Sequence, residues 1–304
     1  MNNGRHLRIL IYQGIWDNAP VADPQECGCE IWYDRSRWED ADAIVFHLPQ
    51  LGLSRFPPRK RSGQFWVAWS MECEAHYPML ARRSELRTVF DIWMTYQRDS
   101  DIWCPYLSSA MIGRLQEQPQ KKTAARPAAA FISSPYDLSG RHSLLDALMR
   151  EMPVDSYGKI ACNQSRSIPR PDKLATIARY KFTFAFENAI GRDYVTEKFF
   201  DPLLVGSVPV YLGAPNVDAF APGDRCFIDA SHFDSPRRLA RFLMELASDK
   251  KVYATYLNWK SVPLRASFRR LAGEADNAFP RLAQHLRRLR FGLDPKKETG
   301  HCSD

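Results

Sequence analysis

The chain has 304 residues, which is long for one hydrophobic core and sufficient for two compact domains. With 45% hydrophobic and 25% charged residues the composition excludes a disordered or collagen-like chain, and no apolar stretch approaches the length of a membrane span. The net charge of +7 favours an anionic partner, and nucleic acid ranks last because the basic residues form no recognisable nucleic-acid-binding module.

Short apolar runs bounded by turn signals predict buried strands in the first half of the chain, at "LRILIY", "ADAIVFHLP" and "QFWVAWSME". Two further extended segments in "VFDIWMTYQRDSDIWCPY" flank a polar loop. These elements predict a first α/β domain over residues 1–118. The polar, proline-containing stretch 119–129 has no apolar periodicity and is predicted to be a linker.

A second alternation of strands and helices follows the predicted linker and indicates a second domain over residues 130–264. Its predicted strands are "AAFISS", "FTFAFEN", "VPVYLG" and "CFIDA", and a helix is predicted over "SGRHSLLDALMREM". Thr196 is a fitting N-cap for another helix, and Ser235 with Pro236 begins a third. Alternating strands and helices are typical of a mostly parallel, doubly wound sheet, so we expect one such sheet in each domain.

The last part of the chain, residues 265–304, is basic and has helical spacing. Phe279, Leu282, Leu286 and Leu289 fall on one helical face. Two interpretations remain open: a helix packed back across a domain, which we favour slightly, or a helix lying on an anionic membrane surface.

The sequence also bears on cellular location. The N-terminal "MNNGRHLRILIYQG" turns polar after one short apolar run and lacks the continuous apolar region of a signal peptide. The seven cysteines are scattered, and Cys27 and Cys29 have no second ligand pair at zinc spacing. We therefore expect reduced thiols and a cytoplasmic protein, with peripheral contact at the inner membrane face as the alternative.

The stretch "FAFENAIGRDYVTEKFFDPLLVGSVPVYLG" places polar residues at the entry of a helix that follows a buried strand. Helix N-termini at such strand ends offer free N–H groups and a positive dipole to phosphate. Lys198 adds a positive charge in the first turn, and Arg141, at the start of the preceding predicted helix, can converge on the same edge. These features predict a diphosphate site.

Two further side chains of this stretch suit a sugar. The Glu197 carboxylate can accept two hydrogen bonds from a vicinal diol, and Tyr194 can stack on the same ligand or bond to it. From spacing alone, an ordinary capped helix with a surface Glu and Lys explains the pattern as well.

The same stretch resembles the sugar-nucleotide signature of the α-1,3/1,4-fucosyltransferases, glycosyltransferase family 10: F-E-N, a variable loop, Y-[VI]-T-E-K and V-P-[VI]-x-x-G. Three other segments match that family in the same order, so that the resemblance covers residues from about 40 to 260. They are "SGQFWVAWSMECEAHYP", "MTYQRDSDIWCPY" and "FDSPRRLARFLMELASDKKVYATYLNWK".

The resemblance implies an α/β protein of GT-B architecture, with two Rossmann-like domains facing across a cleft. Residues 1–118 would bind the acceptor and 130–264 the donor, GDP-β-L-fucose, and no essential metal would be needed for inversion to an α-fucoside. The implied donor residues are Arg141, for the diphosphate, with Glu187, Asn188, Tyr194, Thr196, Glu197 and Lys198. The implied acceptor is the 3- or 4-hydroxyl of N-acetylglucosamine in an oligosaccharide, of which we expect the 3-hydroxyl, and a terminal lactosamine, a chitooligosaccharide and a glycan-core unit remain open. The lack of a secretory signal suggests a bacterial-type enzyme.

Inversion in a single displacement needs a base for the acceptor proton, and we predict Glu72. The family's E-S-P element is Glu72-Cys73-Glu74 in this chain, which leaves Glu74 as the alternative base or as an acceptor contact. The family's double arginine is Gln97-Arg98, which removes one charge. His47 and His76 are weaker acceptor candidates, since a histidine near a core strand is more often structural.

Two other functions compete with this prediction. Asp99-Ser100-Asp101 matches D-x-D, the carboxylate pair that binds a divalent cation in GT-A transferases, although that motif is short and common. The other alternative is a carbohydrate-binding relative without turnover, which the intact Glu197-Lys198 pair and Arg141 disfavour.

Overall fold

The computed structural model describes residues 6–13, 23–53, 59–164, 170–276 and 278–292. Part of the basic segment 55–63 and the last residues of the predicted tail, 293–304, lie outside the described residues. The chain divides into two compact units, Met1–Cys104 with Asn277–Asp304, and Pro105–Asp276.

The first unit contains a six-stranded sheet in which every described pairing is parallel. The strand order is β2-β1-β3-β4-β5-β6. The central strands are buried on both faces, as their continuous apolar sequences predict. The strands are β1 (Arg8–Ile11), β2 (Glu30–Trp32), β3 (Ala43–His47), β4 (Phe65–Ser70), β5 (Ile92–Thr95) and β6 (Ile102–Trp103), and the short helices between them are α1 (Pro24–Cys27), α2 (Pro78–Ala81) and α3 (Arg83–Leu86).

The second unit contains a five-stranded parallel sheet of order β11-β10-β9-β7-β8. Its strands are β7 (Ala128–Ala130), β8 (Val154–Ser156), β9 (Phe182–Phe186), β10 (Val208–Leu212) and β11 (Ile228–Asp229). The helices are α4 (Met111–Leu115), α5 (Arg141–Glu151), α6 (Arg170–Ile177), α7 (Glu197–Leu204), α8 (Pro236–Ser248), α9 (Lys250–Thr255) and α10 (Ala266–Ala275). The expected parallel α/β sheet in each half is therefore present.

Single turns of 3-10 helix complete the described elements, at Arg35–Glu39, Leu48–Leu53, Val217–Phe220, Ala230–His232 and Asn258–Ser261. The predicted cap of α8 is confirmed, because the Ser235 side chain accepts a hydrogen bond from the backbone N–H of Arg238 at 3.3 Å. Strand β8 was not predicted, since "VDS" has neither the length nor the alternation of a recognisable strand.

The boundaries predicted from sequence differ from the structural division at three places. The segment from Pro105, assigned to the first domain, belongs to the second unit. The predicted linker 119–129 runs into β7, which begins at Ala128. The predicted tail is divided, because α10 lies in the second unit and the last helix, α11 (Ala278–Phe291), lies in the first.

Helix α11 completes the hydrophobic core of the first unit. Leu282, Ala283 and Leu286 are fully buried in the cluster that also contains Val45, Val67 and other strand side chains. Phe279 packs against the same cluster, so three of the four residues of the apolar face that suggested a membrane-surface helix are covered by protein, and the membrane interpretation is not supported. Among the described residues, moreover, no helix combines the length and apolar character needed to span a bilayer.

This packing predicts a stability difference between two leucines of the same helix. Leu286→Ala should lower the free energy of unfolding by about 2–5 kcal/mol, because it opens a cavity in the core. Leu289 is 51% exposed, and Leu289→Ala should change the stability by less than about 0.5 kcal/mol. Chemical denaturation of both variants measures the contrast, and equal losses would contradict the placement of α11.

The described cysteines, Cys27, Cys29, Cys73, Cys104, Cys162 and Cys226, are all free thiols. Burial raises the pKa of Cys29 to about 12 and that of Cys104 to about 11, so these thiols stay protonated and unreactive near neutral pH. The predicted reduced state agrees with this arrangement.

Candidate active site

The strand order of the second unit defines where a ligand should bind. Strand β7 has β8 on one side and β9 on the other, so the order reverses between β7 and β9. Ligands of open parallel sheets bind beyond the carboxyl ends of the strands at such a point. The loops after these two strands meet there, because Asn188 O accepts a hydrogen bond from Leu138 N at 2.8 Å and Glu187 O accepts one from Ser139 Oγ at 2.6 Å.

Thr196 begins helix α7 at this edge, as the sequence predicts. Its side chain accepts a hydrogen bond from the backbone N–H of Lys198 at 3.3 Å, which is an N-cap interaction. The N–H of Phe199, in the same turn, donates to Thr196 O at 3.0 Å, so both N–H groups have partners within the chain. The positive end of α7 therefore lies where an anionic ligand of this sheet is expected.

Glu187 lies beneath the helix entry and is fully buried. Its carboxylate accepts hydrogen bonds from Thr196 N and Thr196 Oγ1, both at 2.8 Å, and lies 3.3 Å from Lys198 Nζ. The close approach requires a glycine on the neighbouring strand end, because a Cβ at Gly213 would lie 2.6 Å from Glu187 Cγ. Glu187 thus fixes Thr196 and Lys198 at the helix entry, and its predicted role as a donor-binding residue stays a prediction.

The Glu187 carboxylate also affects the protonation of Lys198. Burial raises the pKa of this carboxyl, and the Lys198 ammonium opposes the shift without cancelling it. Burial likewise disfavours the charge of Lys198, yet Glu187 and Glu197 more than compensate and raise the pKa of the ammonium. Lys198 is therefore cationic throughout the physiological range.

Glu197 and Lys198 are the predicted donor residues with side chains that reach the surface. Their side chains are 36% and 25% exposed, and Lys198 Nζ lies 3.3 Å from Glu197 Oε1. Burial opposes ionisation of Glu197, but the charges of Lys198 and Lys173 outweigh it and hold the pKa of the carboxyl below its ordinary value. The site thus presents one carboxylate acceptor and one ammonium donor side by side.

Arg141 belongs to the same cluster but is deeply placed, with 1% exposure. Its guanidinium donates to the backbone carbonyls of Ser134 at 3.0 Å and Tyr136 at 2.9 Å, which fixes the loop after β7. Its buried Nε has no hydrogen-bond partner within the described part of the chain. Burial lowers the pKa of Arg141, and the nearby Glu187 and Glu197 counteract that shift.

Asp137 anchors the start of α5, and sequence analysis missed it. Its carboxylate accepts hydrogen bonds from the backbone N–H groups of Arg141 at 2.9 Å and His142 at 3.0 Å. Burial opposes its ionisation, but these two bonds hold the pKa of Asp137 below its ordinary value. An aspartate two residues before a predicted helix was the available signal.

The loop between β9 and α7 is fixed by a reciprocal pair that sequence analysis also missed. Asp193 has a positive φ of 64°, a conformation that Asp tolerates better than most residues. Its N–H donates to Asn216 Oδ1 at 2.9 Å, and Asn216 Nδ2 donates to Asp193 Oδ1 at 2.8 Å. Tyr194, next in the chain, is 2% exposed and its carbonyl accepts a hydrogen bond from Tyr211 Oη at 3.2 Å. Tyr194 is therefore buried, and its predicted contact with the donor stays a prediction.

Glu72 and Glu74 follow β4 in the first unit, and both are partly exposed. The backbone N–H of Glu72 donates to Ser70 Oγ at 3.0 Å, which fixes the turn after the strand. The Glu74 carboxylate accepts a hydrogen bond from Gln97 Nε2 at 2.8 Å. The glutamine that replaces an arginine of the family pattern therefore holds Glu74 through a neutral contact.

The two predicted acceptor histidines have different environments. His47 is 1% exposed, its ring lies 5.4 Å from that of Trp69, and its Nδ1 lies 2.8 Å from Gln50 Oε1. Burial lowers the pKa of His47, so the ring is neutral in the core. This placement fits a structural role, whereas His76 is partly exposed on the turn after Cys73.

The two carboxylates of the D-x-D string are engaged in ion pairs. Asp99 Oδ1 lies 3.0 Å from Arg83 Nη1, and Asp101 Oδ2 lies 3.2 Å from Arg87 Nη2. Asp101 also accepts a hydrogen bond from the backbone N–H of Trp93 at 2.8 Å. These partners come from the preceding helical segment, which the sequence did not indicate, and they give both carboxylates a structural function.

The comparisons with known proteins agree with this geometry. Residues 119–290 match the family described as "Glycosyltransferase family 10 (fucosyltransferase) C-term", and residues 4–107 match "Fucosyltransferase, N-terminal". A human 4-galactosyl-N-acetylglucosaminide 3-alpha-L-fucosyltransferase is 33% identical over 283 residues, covering 86% of this chain and 73% of the relative. Alpha-(1,3)-fucosyltransferase B of Drosophila melanogaster is 30% identical over 290 residues, covering 83% of this chain and 65% of the relative.

Solved structures share the fold. A crystal structure of an alpha1,3-fucosyltransferase with GDP-fucose superposes with a TM-score of 0.65 at 14% identity and covers 95% of this chain and 91% of its own. Another, with GDP, gives a TM-score of 0.54 at 16% identity, with coverages of 97% and 93%. The protein is therefore an α/β glycosyltransferase of the GT-B fold class, as predicted. It belongs to glycosyltransferase family 10, the fucosyltransferases.

Proposed function

We propose that this fucosyltransferase moves L-fucose from GDP-β-L-fucose to the 3-hydroxyl of an N-acetylglucosamine unit in an oligosaccharide, with inversion to an α-linkage. The observation that carries the donor part is the capped N-terminus of α7, where Lys198 and Glu197 are exposed beside the buried Glu187. A cation and the positive end of a helix dipole suit a diphosphate, and a carboxylate suits the hydroxyls of a sugar.

The proposed reaction is a single displacement at the anomeric carbon of fucose. The acceptor oxygen attacks the anomeric carbon of fucose, the Glu72 carboxylate takes the hydroxyl proton, and the bond from that carbon to the phosphate oxygen breaks. The electron pair of that bond leaves with GDP. Lys198, the positive end of the α7 dipole and the nearby charge of Arg141 stabilise the negative charge that develops on the diphosphate.

A metal is not required in this proposal, because Lys198 and Arg141 supply the positive charge next to the helix dipole. Within the described ranges no group of three or more His, Cys, Asp or Glu side chains is arranged to hold a metal ion. We expect full transfer activity after treatment with EDTA and gel filtration. Lasting loss of activity that Mn²⁺ or Mg²⁺ restores would instead favour a role for Asp99 and Asp101.

The test of the proposed function is a transfer assay with GDP-fucose against an array of acceptors. The array contains terminal lactosamine, chitooligosaccharides and glycan-core fragments, and NMR of the product reads the anomeric configuration and the substituted hydroxyl. An α-1,3-linked product supports the proposal. Binding of glycans without turnover on every acceptor and without donor hydrolysis would instead indicate a carbohydrate-binding relative.

The expected cytoplasmic location and bacterial source stay predictions.

A further inference from the structure

Helix α7 carries the exposed donor residues but is weak as an isolated element. It has eight residues, Glu197–Leu204, and Pro202 lies inside it. Because proline has no N–H, the carbonyl of Lys198 receives no helical hydrogen bond from position 202. A helix of about two turns is marginal on its own, so the direction of α7 depends on what holds its two ends.

The far end of α7 is held by Lys260, which lies in the 3-10 turn Asn258–Ser261 and is 2% exposed. Its ammonium donates to Leu203 O at 2.9 Å and to Leu115 O at 2.5 Å. Leu203 is in the last turn of α7 and Leu115 is the last residue of α4. One buried cation thus joins the C-terminal, negative ends of two helices.

The hydrogen bond that Leu203 O accepts from the Lys260 ammonium is shorter than the one that it accepts from the backbone N–H of Gly206. The backbone N–H of Gly206 reaches the same carbonyl only at 3.4 Å, and the N–H of Ser207 donates instead to Pro202 O at 2.9 Å. The turn after the helix is also tightly packed, because Gly206 has a φ of +69° and a Cβ there would lie 2.4 Å from Pro119 Cβ. Lys260 and the segment around Pro119 therefore fix the end of α7 from two sides.

Burying a lysine ammonium this deeply costs free energy unless other groups stabilise its charge. Burial lowers the pKa of Lys260 to about 8, and Glu117 opposes this shift. Burial also lowers the pKa of the neighbouring Lys122 to about 8, and repulsion from the Lys260 ammonium adds to that shift. Lys260 forms no ion pair with any described carboxylate, so the two helix carbonyls and the Trp259 ring, 4.7 Å from its Nζ, compensate its burial together with the more distant charge of Glu117.

We propose that Lys260 is a positioning residue for the donor site: by joining the ends of α4 and α7, it fixes the direction of α7 and with it the positions of Glu197 and Lys198. This inference rests on the proposed function, since it assigns Lys260 to the binding of GDP-fucose. A misplacement of about 1 Å at reacting groups can cost about a hundredfold in rate, so a residue that holds Leu203, at the other end of α7 from Lys198, can control the site.

Lys181 provides a matched control in the same unit. Its ammonium donates to Ala247 O, near the end of α8, a helix that carries none of the predicted donor residues. Lys181→Met and Lys260→Met each remove one cation from a helix C-terminus. Only Lys260→Met removes the cation from α7, the helix of the donor site.

The experiment compares wild type, Lys260→Met and Lys181→Met in GDP titration calorimetry, in steady-state transfer and in thermal melting. We expect Lys260→Met to weaken GDP binding about tenfold and to raise KM for GDP-fucose, while Lys181→Met lowers the melting temperature and keeps the GDP affinity of wild type. Lys260→Arg, which keeps the cation, should recover part of the affinity. If Lys260→Met does not fold, Lys260→Gln, which keeps an amide donor, takes its place with the same expected ranking.

Amide hydrogen exchange in α7 gives a readout that needs no ligand. Exchange over residues 199–204 should be faster in the Lys260 variant than in wild type and unchanged in the Lys181 variant. Unchanged GDP affinity in a folded Lys260 variant would overturn the positioning role, and so would unchanged exchange in α7. If wild type itself does not bind GDP, the proposed function fails and the positioning role falls with it.

Discussion

Replacing Glu72 by glutamine should lower kcat by about 10²- to 10⁴-fold, the contribution of a positioned general base. The substitution keeps the size of the side chain and removes its ability to take the acceptor proton. GDP affinity should change little, because the donor residues Glu197 and Lys198 belong to the other unit. Steady-state transfer and GDP titration on the same preparation measure the two effects.

Glu74→Gln is the matched control for this prediction. Glu74 lies two residues away and its carboxylate is engaged by Gln97 Nε2, so its neutralisation should leave kcat nearly unchanged. A large loss of kcat in the Glu74 variant, with normal turnover in the Glu72 variant, would move the base by two residues. Normal turnover in both variants would place the base elsewhere in the chain.

Removing the Lys198 side chain should weaken GDP binding about ten- to a hundredfold, which corresponds to about 1.5–3 kcal/mol for a charge-assisted contact to a diphosphate. The Lys198→Ala variant also leaves the buried Glu187 carboxylate without its nearest cation. Calorimetry with GDP measures the loss. Arg192→Ala, at an exposed position in the loop before α7, is the control for a change of net charge and should bind GDP as wild type does.

Arg141→Ala should weaken GDP binding to a similar degree and should also lower the melting temperature. The additional effect is expected because Arg141 donates to the Ser134 and Tyr136 carbonyls and is 1% exposed. Unchanged GDP affinity in both the Lys198 and the Arg141 variants would be incompatible with a diphosphate site at the start of α7.

The sequence was informative where local chemistry decides the structure. Thr196 has the side chain of an N-cap, a buried strand precedes it and an apolar helical pattern follows, so the helix entry with Glu197 and Lys198 could be predicted. The depth of Glu187 could not, because it depends on Gly213 of the neighbouring strand end, far along the chain. Local pattern likewise gives no indication that Lys260 reaches two helix ends.

The amphipathic pattern of α11 shows the same limit. The spacing of Leu282 and Leu286 predicts that one face is buried, but it does not say which surface covers that face. The answer lies in long-range packing, against strands that come before Cys104 in the chain. For the same reason the boundary at residue 264 was misplaced, since the change to a basic composition does not coincide with the change of unit.

The contribution of α11 to the first unit sets an order of events during synthesis. Strands β1 to β6 leave the ribosome first, but the side chains of Leu282, Ala283 and Leu286 that complete their core come only after the whole of Pro105–Asp276 has been made. At about 5–20 residues per second this interval is on the order of ten to thirty seconds, during which the six strands expose one uncovered apolar face. We therefore expect the nascent chain to need chaperones most in its N-terminal half, and the second unit to be the first that can finish folding.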